Sequence, residues 1–475
     1  MSTDAATRRT RSGRRRSRAF VATFGIVVGL LAVLGLAGAA ASVAQGPRVT
    51  ETSVDPEAAA AASGSRLIVT TTQSLAEVDA SQVTITPATP FVVDTSGRSV
   101  GVRFTLPLWD DTEYTVTIDG VGSLGGGPTA TITETFRTPS THVFLLQRGA
   151  NDGDLVYRTD LTGQNAVPVF RHPHIEDFRA TADHLVMSVR TDEDRAGLIV
   201  TDLDGENPQD LPLPVEDGGD GYVSNLQTAD RGERIGYTFS DAQLDADSGR
   251  ESRLFTASLG DPEADAVAIE VEGADPRVAE WRFVPDTDSI LLLSFDGSLL
   301  LTGSAGEGAT ALGAAIAING IARGSSEAVV DRVDQPAVID LTDASEQPLV
   351  TPDPDLGGTS SVTPLPDGST IRTAAVLDAD GIPTGRTSIA RVAADGAATV
   401  LTETADTDAV IQVCVSPSAR YVAVLMAPDA VGNRYDTYQL PLPERPETRI
   451  LQVADGEPVV ALNGSSISWC QAPPL

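Results

Sequence analysis

Short apolar runs broken by turn residues fill the chain after residue 140. One unit recurs: an apolar strand, a turn, then a strand ending in an Asp-Leu-x-Gly-like turn. Residues 155–163 (LVYRTDLTG) and 198–205 (LIVTDLDG) carry it most clearly. Weaker copies lie at 254–260, 337–343, 388–396 and 437–442. A repeat of about 40 to 60 residues made only of short strands predicts the blades of a β-propeller.

Seven sets of strands can be laid out. The second takes 175–180, 184–190, 198–203 and 210–213; the third takes 224–228, 234–240 and 252–259. The fourth takes 279–284, 289–294 and 298–302, and the fifth, the faintest, takes 315–322, 327–333 and 337–341. The sixth takes 360–364, 370–377 and 387–392; the seventh takes 411–415, 420–426 and 436–440. Because the fifth is faint, the pattern allows six to eight blades. In the first, 143–147 and 154–161 supply central strands with no inner strand before them. Residues 466–470 (SISWC) read as an inner strand with no blade after it. The C-terminal strand is therefore expected to complete the N-terminal blade, which pairs both free edges of the ring.

Before the repeats, 47–139 reads as a separate β-sandwich. Apolar or alternating runs fall at 66–72, 83–86, 99–105, 113–118 and 131–138, with Gly and Ser turns between them. About seven strands over this length fit an immunoglobulin-like sandwich. It lacks cysteine, and Trp109 and Tyr114 are expected to pack at strand ends. Upstream, 19–44 has no charged residue, and at about 1.5 Å per residue a helix of this length spans a bilayer. Seven arginines against Asp4 give 1–18 a net charge of +6. That basic tail predicts a cytoplasmic N-terminus and an exported body, the helix serving as a single-pass anchor. The competing reading is a signal peptide cleaved after Ala44, where Ser42 and Ala44 are small.

Two resemblances follow from these residues. The opening PRVTETSVDP (47–56), the strand LWDDTEYTVTI (108–118) and the closing TFRT (135–138) resemble SbsA-type bacterial Ig-like domains. That resemblance covers the sandwich and implies a spacer or adhesion module without catalysis. The turns SPSARYVAV (416–424), LPDG (365–368), VPD (284–286) and TADRG (228–232) resemble those of TolB-like and WD-like propellers. That one covers 141–475 and implies the fold, leaving the activity open. Together they suggest a membrane-anchored exported bacterial protein. The complete absence of lysine fits the arginine-biased composition expected of an actinobacterial source.

Charge narrows the partners. The total is −33, so the chain beyond residue 18 carries −39. Such a body repels nucleic acid and anionic membrane surfaces. The two cysteines, Cys414 and Cys470, fall on the expected inner strands of the seventh and first blades. In an exported protein that placement predicts a disulfide stapling the ring closure. Two buried free thiols are the alternative.

Candidate chemistry is sparse. The four histidines are His142, His172, His174 and His184, and His172-Pro173-His174 is the one close pair. Two ligands do not make a zinc site. No nucleophile elbow, zinc-protease, phosphate-loop or Cys-x-x-Cys motif occurs. Asp-rich turns at 151–154, 202–205, 217–220, 245–247 and 378–381 could supply calcium oxygens, but Asp and Gly are also ordinary turn residues. No catalytic, cofactor or metal residue is assigned. The expectation is an extracytoplasmic, non-catalytic binding or scaffold protein, in which an Ig-like spacer presents a propeller to an envelope protein or cell-wall component. The alternative is a propeller-based hydrolase or lyase acting on an envelope glycan or ester, with acids from several blades meeting at the channel mouth. A purely structural envelope component, with no concave site, is the third reading.

Overall fold

The computed structural model describes residues 20–36, 46–150, 153–215, 220–229, 234–244 and 249–474. The chain forms two compact units. The first contains 65–104 and 113–137, and the second contains 138–475 together with 56–64 and 105–112.

In the first unit, Val49–Ser53, Arg66–Thr71, Ser99–Phe104 and Phe91–Ser96 pair in that order as a four-stranded sheet. Val83–Thr86, Glu113–Val121 and Ala130–Arg137 make a three-stranded one. Alternation fixes which face is buried: Leu67 and Val69 point into the core between exposed neighbours. Phe136 stands 6.1 Å from Phe104 and 5.9 Å from the fully buried Tyr114, so both sheets contribute to one aromatic core.

In the second unit, seven small antiparallel sheets follow one another among the described residues, and within each the strands pair in chain order. Blade 1 holds His142–Ala150, Gly153–Asp160 and Val167–His172. Blade 2 holds Ile175–Ala180, His184–Arg190, Ala196–Asp202 and Gln209–Asp210. Blade 3 holds Gly221–Thr228, Arg234–Asp241, Arg253–Ser258 and Val267–Ala268. Blade 4 holds Val278–Phe283, Ser289–Ser294, Ser298–Gly303 and Thr310–Ala314. Blade 5 holds Ala317–Ile321, Glu327–Asp331, Pro336–Asp340 and Glu346–Pro348. Blade 6 holds Thr359–Pro364, Thr370–Leu377, Pro383–Val392 and Ala398–Glu403. Blade 7 holds Ala409–Val415, Tyr421–Ala427, Glu447–Gln452 and Pro458–Asn463. From blade 2 to blade 7 the first strands touch in succession, which makes a β-propeller.

The core lies between blades. One cluster joins Phe144 and Val156 of blade 1 to Phe178 and Met187 of blade 2. Another joins Leu254 of blade 3 to Trp281 and Leu292 of blade 4. A second strand is thus covered on both faces. That is why SILLLS (289–294) and YVAVLMA (421–427) are continuous apolar runs. The Asp-Leu-x-Gly turns also have a local cause. Gly205 has φ +81°, and a Cβ there would collide with the Val169 carbonyl oxygen.

The ring closes through the C-terminal segment. Leu146 and Ser465 exchange two backbone hydrogen bonds of 2.9 Å, and Ser468 N–H donates to the Phe144 carbonyl. The contact is a bridge at Ser465. It is not the strand expected over 466–470, because the chain turns there and Cys470 N–H donates back to Ile467. Trp469 stacks on Tyr421, with Val143 and Leu145 in the same cluster. Cys414 and Cys470 form a disulfide, 56 residues apart in sequence.

A further strand expectation is corrected. The third strand of blade 7 is Glu447–Gln452; the apolar run expected there at 436–440 is loop. Its alternation (Tyr438, Leu440, Leu442) imitates a strand, but Pro441 and Pro443 lack the N–H groups a ladder needs. Of the expected membrane span 19–44, residues 20–36 form an exposed helix, and the rest lies outside the described residues. Among the described residues no helix is long and apolar enough to cross a membrane.

Candidate functional site

The first strands surround the propeller axis, and several carry charge where a blade core would be apolar. Ile175–Ala180 places Glu176, Asp177 and Arg179 there, all buried. Val278–Phe283 places Glu280 and Arg282 on either side of the fully buried Trp281. In both strands a register irregularity interrupts pairing beside the acidic residues. Such bulges re-aim side chains.

The loop 428–446 of blade 7 reaches over to residues of blades 1, 2 and 3. Glu176 is its anchor: the backbone N–H groups of Gln439 and Leu440 both donate to its carboxylate at 3.2 Å. His174 Nε2 lies 2.7 Å from the same carboxylate. The His174 ring also packs 4.0 Å from that of Tyr438. Tyr438 donates its hydroxyl to Asp154 at 2.9 Å, and burial is the first cause of its raised pKa. The Arg148 guanidinium lies over the Tyr438 ring, donates to Asp436 and to the Leu440 carbonyl, and also reaches the Glu176 carbonyl. Gln439 Nε2 reaches Ser224 Oγ of blade 3 at 2.7 Å. Residues of blades 1, 2 and 3 thus hold a loop of blade 7. Beside it lies a cavity of about 770 Å³, walled by Arg148, Asp429, Tyr438, Glu444, Arg445 and Asn463.

A second cavity of about 410 Å³ lies among the first strands of blades 4 to 7. Arg282, Asn319, Ser361, Thr373 and Gln412 line it, with the disulfide and the tail residues Gln471 to Pro473. Gln412 Nε2 holds the tail by donating to the Ala472 carbonyl at 2.9 Å. Asp177 and Arg179 form a buried ion pair at 2.9 Å. Burial pushes the Asp177 carboxyl up, and the Arg179 charge opposes that shift.

The residues singled out from sequence scatter. His174 joins the loop anchor, and His172 accepts the His174 N–H. His142 and His184 sit in strands of blades 1 and 2. Asp154 is spent on the N–H groups of Gly149 and Ile175 as well as on Tyr438. Asp202 and Asp378 cap their own turns. Residues 151–152, 217–219 and 245–247 lie outside the described residues. Among the described residues no group of three or more His, Cys, Asp or Glu could hold a metal ion. The channel charges were missed. Their signal was available: three charged residues in the six of 175–180, and an acid and a base flanking Trp281.

No protein-family model matches the sequence, and neither does any curated protein. Solved structures do resemble the fold. An oligogalacturonate lyase in complex with manganese is 12% identical, with a TM-score of 0.46 over 79% of this chain and 96% of that one. A putative TolB from Agrobacterium tumefaciens is 12% identical, with a TM-score of 0.35 over 68% and 90%. TolB from Acinetobacter baumannii is 12% identical, with a TM-score of 0.36 over 82% of each chain. Likeness at this level concerns the fold alone; the order of the sheets carries the architecture.

Proposed function

We propose that this is an extracytoplasmic binding protein. In this reading, 19–44 tethers it to the cell membrane with 1–18 in the cytoplasm, 47–139 is an Ig-like spacer, and the propeller of 141–475 takes a protein or cell-wall partner.

One observation carries the binding reading. Strands alternate in direction, so turns joining second to third strands share one face of the ring with the connections between blades. Leu244, Phe295, Val333, Ile382, Val431 and Tyr435 all lie in such turns, on blades 3 to 7, and all are exposed. Val333 is 81% exposed and Val431 fully so. Among the described residues no exposed large apolar side chain lies in the turns on the opposite face. Apolar tips gathered on one face of a strongly acidic protein mark an interaction surface. The carboxylates that hold the blade 7 loop also favour binding over catalysis. Glu176 and Asp154 are committed to a loop and to backbone N–H groups, which leaves them poorly placed as acid and base.

The test is capture from the native envelope with tagged full-length chain and mild crosslinking. One stoichiometric partner is expected. It should be lost with Val333→Asp combined with Ile382→Asp, and kept with Asp455→Ala in a turn of the other face. Capture unaffected by the paired change, or turnover of an envelope glycan or ester by the purified protein, would overturn this reading.

A further inference from the structure

Among the described residues one charged side chain, Arg282, lines the second cavity. Arg282 is half-buried there. Loss of bulk water pushes its guanidinium below the ordinary arginine range; Glu280 opposes this and the like charge of Arg179 adds to it. Yet among the described residues no carboxylate comes within ion-pair distance of it. Its acceptors are the Trp281 carbonyl at 2.7 Å and, loosely, the Ile318 carbonyl at 3.4 Å. A guanidinium has five donors, so most of its capacity is unspent. Arg179 differs: both its terminal nitrogens face Asp177 at 2.9 Å, and its Nε is buried without a hydrogen-bond partner. Glu280 is engaged elsewhere, accepting the Ile318 N–H at 2.9 Å.

A cation withdrawn from bulk water without a carboxylate in ion-pair contact is unfavourable. Here that cation lines a cavity whose other walls are uncharged, partly polar and partly apolar. Ser361 and Thr373 present hydroxyls 2.7 Å apart, and Asn319 and Gln412 present amides.

We propose that this cavity binds a small hydroxylated organic carboxylate, its carboxylate on Arg282 and its hydroxyls on the Ser361, Thr373 and Gln412 wall. One guanidinium fork facing the cavity matches the two oxygens of one planar carboxylate. A dianionic phosphate would meet the same fork with a second charge unmatched, inside a body whose excess charge is negative. The volume of about 410 Å³ suits a molecule of up to about a dozen non-hydrogen atoms. The inference does not depend on which partner the apolar face takes.

The experiment is isothermal titration of the full-length protein with lactate, malate, phosphate and chloride as separate probes, paired with thermal melts. Saturable binding of lactate or malate is expected, with a rise in melting temperature. Arg282→Gln should weaken it at least about tenfold, as expected for loss of a charged hydrogen-bond partner, and Arg282→Lys should weaken it less. Ser361→Ala, elsewhere in the lining, should weaken it roughly threefold while leaving the fold intact, which keeps the test valid if Arg282→Gln does not fold. Absence of heat with both carboxylates would overturn the proposal. So would carboxylate binding that neither Arg282→Lys nor Ser361→Ala changes. Phosphate or chloride binding tighter than both carboxylates would overturn the ligand class.

Discussion

Asp160 shows what the repeated Asp-Leu-x-Gly turn does. Its carboxylate accepts from Thr162 N–H at 2.9 Å, Thr162 Oγ1 at 2.6 Å and Asn165 Nδ2 at 2.6 Å. These donors, the Thr162 side chain first, hold its pKa at about 2 against an ordinary 3.8. Folding therefore favours the ionised form, and the contribution is present above about pH 4 and lost as pH falls through about 2. Asp160→Asn should melt below wild type at pH 5, and the difference should shrink steadily between pH 4 and pH 2. A difference constant over that range would show that the carboxylate charge plays no part. Residues of this kind were legible in the sequence because the motif is local: acid, hydroxyl and glycine all act within one turn. Arg282 and Glu176 were not, because what they face is set by blades that the chain reaches 36 and 263 residues away.

The loop 428–446 shows why the same legibility fails for an element. Its Tyr438-Gln439-Leu440 segment has the alternation of a strand, and local pattern alone assigns it to the ladder of blade 7. What removes it is a set of distant partners: Glu176 and Asp154 accept three of its donors, and Arg148 binds two of its oxygens. Glu176 is buried, so Glu176→Ala leaves two backbone N–H groups without their acceptor. Each orphaned group costs about 1–3 kcal/mol. The loop should detach before the propeller unfolds. Amides of Gln439 and Leu440 should exchange at least tenfold faster in Glu176→Ala, while those of Tyr421–Ala427 keep their protection. Equal exchange at Gln439 in both proteins would mean that the carboxylate does not hold the loop. The first three strands of blades 2 to 6 were placed well from sequence for the opposite reason, and the outer strands of blades 3 to 6 were not named. A second strand buried on both sides has to be a continuous apolar run, whatever its neighbours are.

At the scale of the whole molecule the ring has one weak seam. Six successive blade contacts are reinforced by chain continuity, but blades 7 and 1 meet through packing, the Leu146–Ser465 bridge, side-chain hydrogen bonds of Arg148, Asp154 and Tyr157 to blade 7, and the Cys414–Cys470 disulfide. The closing segment gives three backbone bonds to blade 1 where a full inner strand would give more, so part of the closure falls to the disulfide and to Trp469 against Tyr421. Cross-linking residues 56 apart removes loop-closure entropy from the unfolded chain worth about 4 kcal/mol in the chain-entropy treatment. The Cys414→Ala/Cys470→Ala double variant should therefore lose about that much stability, most of it through the unfolded state. Its location adds a second consequence. The disulfide and the tail 471–473 line the same cavity as Arg282, so opening the seam should also loosen that wall. A denaturant titration of oxidised, reduced and double-variant protein checks both parts. The reduced and variant proteins should coincide, each below the oxidised one by about 4 kcal/mol. A loss under about 1 kcal/mol would place the closure in the apolar seam instead, with Tyr421 and Trp469 as the residues to change next.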